Sequence, residues 1–156
     1  MRDMAVGIKA DAELPRREAR RLKRSLARMM RNLLPGRDLE VSLVLADERE
    51  TRRLNSMYRG RDETTDVLAF PQMGPAELRT SPSRKPPAHE PLGDIVICVP
   101  VAERQAAERA ATRFDELEIL AAHGLLHLAG YEDETEDGAA EMEVAERRLL
   151  GRSIIR

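Results

Sequence analysis

Apolar residues at helical spacing mark the first long segment of the chain. They recur every three or four positions between residues 16 and 33, which predicts a helix with one apolar face. Pro15 suits the first turn of such a helix, and Pro35 with Gly36 ends it. The apolar positions of this helix are Leu22, Leu26, Met29, Met30 and Leu33.

Short apolar runs bounded by turn residues predict four strands. The run at residues 93–100 is apolar almost throughout, which is typical of a strand in the middle of a sheet. The predicted strands are MAVGIK (4–9), EVSLVLA (40–46), DVLAFP (66–71) and GDIVICVP (93–100).

Four more helices follow from spacing, capping and proline signals. Pro100 suits the start of one of them, VAERQAAERAA (101–111). Asp47 and Glu50 form a D-x-x-E pattern that predicts a helix start, and that helix stops near Gly60. Asp115 and Glu118 predict a second start of the same kind. The segment LEILAAHGLLHLA (117–129) is apolar nearly all round and is therefore expected to be a buried helix. A last helix is predicted at 136–150.

The stretch 74–91 interrupts this order, because it holds five prolines and no periodicity. It is expected to be a long loop. The remaining strands and helices predict a single domain over residues 1–156, of α/β (α+β-like) class, with a small mixed β-sheet surrounded by helices.

Composition excludes several classes of protein. The chain is 42% hydrophobic and 35% charged, which is a globular composition. It has no apolar run near the roughly 20 residues that span a bilayer, so no membrane partner is expected. Its one cysteine, Cys98, cannot form an intramolecular disulfide, which favours a cytoplasmic location.

The net charge of −2 hides an asymmetry. Residues 16–31 carry eight Lys or Arg against one acid, whereas residues 114–146 carry eleven Asp or Glu and no Lys or Arg. The basic helix is either an ordinary solvated face or a track for an RNA backbone. Its charge density favours the RNA interpretation, and with two Phe and two Tyr in the chain no broad base-stacking platform is expected.

The stretch HGLLHLAGYED (123–133) carries the candidate chemistry. His123 and His127 lie one turn apart on the buried helix, so both imidazoles can face one ion. Gly130 permits a sharp turn, after which Asp133 can return to the same point. Two histidines and one carboxylate are a known catalytic zinc set, although paired core histidines are the ordinary alternative.

The same spacing resembles the metzincin pattern of zinc peptidases. Two residues depart from that pattern: Asp133 replaces the last histidine, and Gly124 replaces the glutamate that acts as general base. A metallopeptidase is therefore an alternative function that Gly124 opposes.

Three blocks together resemble the YbeY family of metalloendoribonucleases. They occur in the family's order and cover roughly residues 40–150. The blocks are LNSMYRGRDETTDVLAFP (54–71), LGDIVICVP (92–100) and HGLLHLAGYED followed by EDGAAEMEVAE.

The resemblance implies a zinc-dependent, single-strand-specific endoribonuclease. Family members act in rRNA processing, notably at the 3′ end of 16S rRNA, and in quality control of 70S ribosomes. The expected partners are single-stranded RNA, rRNA and the ribosome or its proteins, with no DNA. The family's metal ligands map onto His123, His127 and position 133, and its functional arginine maps onto Arg59. Arg59 and His123 are the expected catalytic residues.

Aspartate at position 133 departs from the family's third histidine. A carboxylate can bind zinc at about the same distance as imidazole, and it can favour harder ions such as Mn. Glu132 and His89 are the alternative third ligands. If the substitution weakens metal binding, the protein is instead a non-catalytic ribosome-associated factor.

Asp66 and Asp94 lie within the shared blocks. They are candidates for orienting the imidazoles from behind, and capping or turn formation is the equally weighted alternative.

Overall fold

The computed structural model describes residues 5–10, 14–79 and 89–152. Within these residues, four strands form one sheet in the order β1-β2-β4-β3, with six helices around it. The predicted mixed α/β fold is therefore confirmed. In chain order the elements are β1 (Ala5–Ala10), α1 (Arg16–Leu33), β2 (Leu39–Ala46), α2 (Glu48–Arg59), β3 (Val67–Pro71), α3 (Pro75–Arg79), β4 (Glu90–Cys98), α4 (Val99–Glu108), α5 (Arg113–Leu128) and α6 (Glu136–Leu150).

The sheet is parallel except at one edge. β1 pairs with β2 and β2 with β4 in parallel, whereas β3 pairs with β4 antiparallel. β4 lies between β2 and β3, as its apolar sequence predicted, and its Ile95 and Ile97 are fully buried. β3 is an edge strand, and its outer side is consequently open to other groups.

The main core lies between the sheet and α5. This helix contacts β3 and β4 on one side and α1, α4 and α6 on the others. Its residues are buried nearly all round, which confirms the prediction for 117–129. On the opposite face of the sheet a smaller cluster of Ala46, Leu68 and Val96 is covered by Leu54 of α2.

The cap of α2 confirms its prediction, because the Asp47 side chain accepts a hydrogen bond from the Glu50 backbone N–H at 2.8 Å. The cap predicted for α5 is wrong. Thr112 caps that helix and forms a capping box with Asp115, so Asp115 is the third helical residue rather than the cap. Glu118 lies one turn further on and accepts a hydrogen bond from Ser25.

The loop predicted at 74–91 is only partly a loop. Pro75–Arg79 form the short helix α3, and Glu90 already belongs to β4. The rest of the Pro-rich stretch, 80–88, lies outside the described residues, as does Met4 of the first predicted strand. No helix in the described part of the chain is both long enough and apolar enough to cross a bilayer.

Candidate metal site

Two histidines near the end of α5 face each other across one helical turn. The rings of His123 and His127 lie edge to face, with centroids 4.7 Å apart. Their Nε2 atoms are separated by 3.1 Å, and both side chains are partly buried at the base of a cleft. The four-residue spacing therefore points both Nε2 atoms toward one place, as the sequence predicted.

The turn after α5 brings a carboxylate to the same place. Gly130 has φ +100°, a left-handed conformation that reverses the chain directly after the helix. Asp133 then returns with its Oδ2 at 3.6 Å from His123 Nε2 and 3.8 Å from His127 Nε2. The predicted trio lies together, and it is a group of His, Asp or Glu side chains that could hold one metal ion.

The spacing of these three atoms fits a tetrahedral zinc ion. Two ligand atoms that each lie about 2.1 Å from zinc at a tetrahedral angle are themselves about 3.4 Å apart. The observed separations of 3.1, 3.6 and 3.8 Å lie close to that value. Moreover, two neutral imidazoles with converging Nε2 lone pairs repel each other, and a cation between them would turn that repulsion into attraction.

The other ring nitrogens are held by the protein. His123 Nδ1 lies 2.6 Å from Glu146 Oε1, and His127 Nδ1 lies 3.0 Å from the Tyr131 carbonyl oxygen. Because carboxylate and carbonyl oxygens accept hydrogen bonds, each Nδ1 is the N–H donor, and each Nε2 keeps its lone pair for a ligand. Burial of the ring and the neighbouring His123 lower the pKa of His127, so its imidazole is neutral at pH 7.

Glu146 is a site residue that the sequence did not reveal. It belongs to α6 and is 1% exposed, although α6 is rich in acids that are mostly exposed. The sequence does contain one indication that Glu146 is buried. Glu146 falls on the buried stripe of α6 with Met142, Leu149 and Leu150, where an apolar residue is expected. A carboxylate on the buried face of a helix needs a partner, and here the partner is His123.

Of the two roles considered for Asp66 and Asp94, orienting the imidazoles is wrong, and local capping describes Asp66. Asp66 accepts hydrogen bonds from the Val67 backbone N–H at 2.7 Å and from Gln105 at 3.3 Å, which is local structure at the start of β3. Asp94 accepts from Gln72 at 3.2 Å. Asp66 directly precedes β3 and Asp94 lies within β4, whereas the Nδ1 atoms of the two histidines point toward Glu146 of α6 and the Tyr131 carbonyl.

The alternative third ligands do not join the trio. Glu132 lines the same cleft, but it is not part of the group that could share one ion. His89 lies at the start of β4, where its Nδ1 is 3.0 Å from Asp38 Oδ1.

Arg59 reaches into the cleft from the other side. It is the last residue of α2, which ends because Gly60 adopts a left-handed conformation. One terminal nitrogen of Arg59 donates to the Ala69 carbonyl oxygen of β3 at 3.0 Å. The cleft has a volume of about 380 Å³ and is also lined by His123, His127, Tyr131, Glu132, Asp133 and Glu134.

β3 forms one wall of the cleft, and its hydrogen bonding to β4 uses one set of its backbone groups. Cys98 N–H donates to Asp66 O at 2.8 Å, and Gln72 N–H donates to Leu92 O at 3.0 Å. With the antiparallel register, these two bonds show that the backbone N–H and C=O groups of the even-numbered residues face β4. The backbone groups of the odd-numbered residues therefore point outward from the sheet.

Two of those outward groups are already engaged. The Val67 N–H donates to the Asp66 side chain, and the Ala69 carbonyl accepts from Arg59. Pro71 has no N–H at all. An extended peptide that added to this edge as a further strand would need these groups as partners. The edge is consequently poorly suited to binding a peptide substrate.

The basic face predicted for α1 is exposed. Its apolar stripe is buried, while Arg16, Arg17, Arg20, Lys23, Arg24 and Arg28 lie at the surface. Arg21 stacks over the Phe114 ring at 3.8 Å, so this one arginine also contributes to packing.

Comparison of the sequence and the fold with known proteins points to one family. The family model described as endoribonuclease YbeY matches residues 8–153. A protein named endoribonuclease YbeY from Pseudomonas putida is 46% identical over 113 residues, covering 72% of this chain and 67% of that protein. One with the same name from Acinetobacter baumannii is 34% identical over 152 residues, covering 96% and 93%. The solution structure of a Thermotoga maritima protein matches with a TM-score of 0.60 at 27% identity, covering 94% and 89%.

Proposed function

Because this chain belongs to the endoribonuclease YbeY family, we infer that it is an endoribonuclease acting in rRNA processing. We further propose that residues 1–156 act as one YbeY-like domain, in the cytoplasm, on single-stranded RNA. The proposed substrates include the 3′ end of 16S rRNA, and the proposed partners are the ribosome and its proteins, including during quality control of 70S ribosomes.

The proposed enzyme holds one divalent ion through His123, His127 and Asp133. The convergence of these three side chains is the observation that carries the proposal. Zinc suits two imidazoles and one carboxylate, and the carboxylate also makes Mn acceptable. When bound, the ion would polarise a phosphate oxygen or activate water for attack on the phosphodiester. Glu146 and the Tyr131 carbonyl hold the two rings in position for it.

Arg59 is proposed to bind the phosphate of the reacting nucleotide. Its bond to the Ala69 carbonyl fixes the guanidinium at the cleft wall and uses one of five N–H donors. The remaining donors can grip two phosphate oxygens and neutralise the charge that develops during hydrolysis.

Two features favour RNA over peptide as the substrate. The outer edge of β3 is engaged by Arg59 and Asp66, which opposes strand addition by a peptide. At Gly124, the position of the metzincin general base, an added Cβ would point at Ile95 of β4, with 2.7 Å to its Cγ2. A glutamate there would require the buried Ile95 side chain to shift.

The volume of the cleft favours a single strand over a duplex. The reactive atoms lie at its base, and about 380 Å³ is room for roughly one nucleotide. A strand that is unpaired can extend one phosphate into such a cleft, whereas a duplex holds each phosphate on a wide, stiff surface. The exposed basic face of α1 offers additional contacts to the RNA backbone.

The test is cleavage of a labelled single-stranded RNA by metal-loaded protein, beside the same RNA annealed to its complement and an unfolded protein substrate. We expect cleavage of the single strand alone. Elemental analysis of protein purified without chelator should give close to one metal per chain, lost in His123→Ala and in His127→Ala.

Arg59 provides the matched pair of variants. Arg59→Ala should keep the metal and lose RNA cleavage, and Arg59→Lys should recover only part of it, because lysine lacks the planar fork. Cleavage of the protein substrate with intact RNA would instead establish the peptidase. Protein with almost no metal, restored by Asp133→His, would establish the non-catalytic factor.

A further inference from the structure

An exposed aromatic ring lies beside the cleft. The described residues include three large apolar side chains that are mostly or half exposed, and two of them, Met57 at 58% and Tyr58 at 64%, are neighbours on α2. The Tyr58 ring packs edge-on against Phe70, with centroids 5.3 Å apart and an interplanar angle of 61°. This contact orients the ring while leaving most of its surface to solvent.

The ring and the cleft meet at the same edge of β3. Tyr58 directly precedes Arg59, and Phe70 directly follows Ala69, whose carbonyl Arg59 binds. Val67, Ala69 and Pro71 line the cleft, whereas Phe70 packs toward α2 on the opposite face of the sheet. A strand that leaves the cleft across this edge therefore passes Arg59 first and Tyr58 next.

We propose that Tyr58 stacks on a single nucleobase of the RNA, next to the nucleotide whose phosphate lies in the cleft. This inference deepens the proposed function and rests on it. An aromatic ring with a solvent-facing surface is what single-stranded nucleic acids use in proteins, because every base has a π-face. The site holds one base, since Phe70 supports the ring and adds no second exposed platform.

Charge supports a nucleotide as the occupant. Arg59 and Arg61 follow Tyr58 along the chain and are both exposed, so cations that can bind phosphates flank the ring. Stacking also requires no particular base, so the site would place the strand without selecting its sequence.

The protein provides its own probe, because it contains two tyrosines and no tryptophan. In a Tyr131→Phe background, Tyr58 is the only tyrosine, and stacking of a base quenches its fluorescence. Stopped-flow mixing of the metal-loaded variant with a single-stranded RNA octamer should show this quenching before turnover. Inorganic polyphosphate, which has the charge but no bases, should bind without quenching. Equal quenching by polyphosphate would overturn the proposal.

Substitutions give a second readout in the otherwise native protein. Tyr58→Leu should weaken RNA binding and raise KM roughly tenfold, while Tyr58→Phe keeps the wild-type values, because phenylalanine retains the ring. Val144→Ala, at the exposed apolar residue of α6, is the control and should change neither. If Tyr58→Leu matches the wild type in KM, stacking is refuted although RNA cleavage persists. Wild-type protein that neither binds nor cleaves the RNA would instead refute the proposed function.

Discussion

The packing of α5 on the sheet leads to a quantitative prediction at Gly124. A Cβ at this position would lie 2.7 Å from Cγ2 and 3.3 Å from Cγ1 of Ile95, which is fully buried in β4. Both atoms belong to a β-branched side chain with little rotamer freedom, so the clash cannot be relieved cheaply. We therefore expect Gly124→Ala to force the helix and strand apart.

Two opposing effects set the magnitude of this change. Alanine in a helix interior is favoured over glycine by about 1 kcal/mol. Overpacking a well-filled core costs about 1–3 kcal/mol. The single variant should therefore be neutral or destabilised by up to about 2 kcal/mol, despite the better helix former.

A double-mutant cycle isolates the clash. Ile95→Ala removes the atoms that an alanine at 124 would meet, at a cost of about 2–5 kcal/mol by itself. In that background Gly124→Ala should stabilise the protein by about 1 kcal/mol, so the two sites should couple by about 1–3 kcal/mol. Ile95→Val is the matched control, because valine keeps both γ carbons and should preserve the penalty.

Urea unfolding of the variants, followed by far-ultraviolet circular dichroism, measures each free energy. Coupling below about 0.5 kcal/mol, the usual scatter for independent sites, would refute the close packing of α5 on β4. It would also remove the steric argument against a glutamate at position 124.

The site and its surroundings give three further predictions. Glu146→Gln should lower metal affinity about 10- to 100-fold, whereas the exposed control Glu143→Gln should not; equal affinities by metal titration would remove the proposed role of Glu146. Removing the metal with a chelator should lower the unfolding temperature of the wild type and leave that of His127→Ala unchanged. If the free metal concentration was a hundred times Kd, the wild type should lose about 2.7 kcal/mol of unfolding free energy. Burial raises the pKa of Asp115, but hydrogen bonds from Thr112 and the charge of Arg152 outweigh it, so the net pKa is lowered from 3.8. A carboxyl group whose pKa is lowered by folding stabilises the protein at pH values above its ordinary pKa. That stabilisation should therefore disappear as the pH falls below 3.8, and Asp115→Asn should flatten this part of the acid-unfolding curve.

The sequence predicted best those parts of the fold that are set by residues close together in the chain. The start of α2 at Asp47 and the span of α6 are set by residues within one or two turns, and both agree with the structure. The start of α5 was predicted three residues too late. Asp115 can either begin a D-x-x-E pattern with Glu118 or close a capping box that begins at Thr112, and the structure shows the capping box. A helix as short as α3 lacks the length for a periodic signal.

The candidate site divides in the same way. His123, His127 and Asp133 are brought together by one helix and the turn that follows it, so their spacing in the chain was informative. Glu146 lies 23 residues after His123, and their contact depends on how α6 packs on α5. Arg59 and Ala69 are only ten residues apart, but which backbone groups of β3 face outward to meet Arg59 depends on the pairing of β3 with β4.

The position of Glu146 also has a consequence for when this protein can become active in a cell. Chains are synthesised from the N-terminus, and domains fold as their segments emerge. The buried carboxylate that holds His123 is added after almost all of the core, so the trio cannot be fully ordered until α6 has been made and has docked. The metal-binding trio would therefore become ordered later in folding than the helix and turn that carry it.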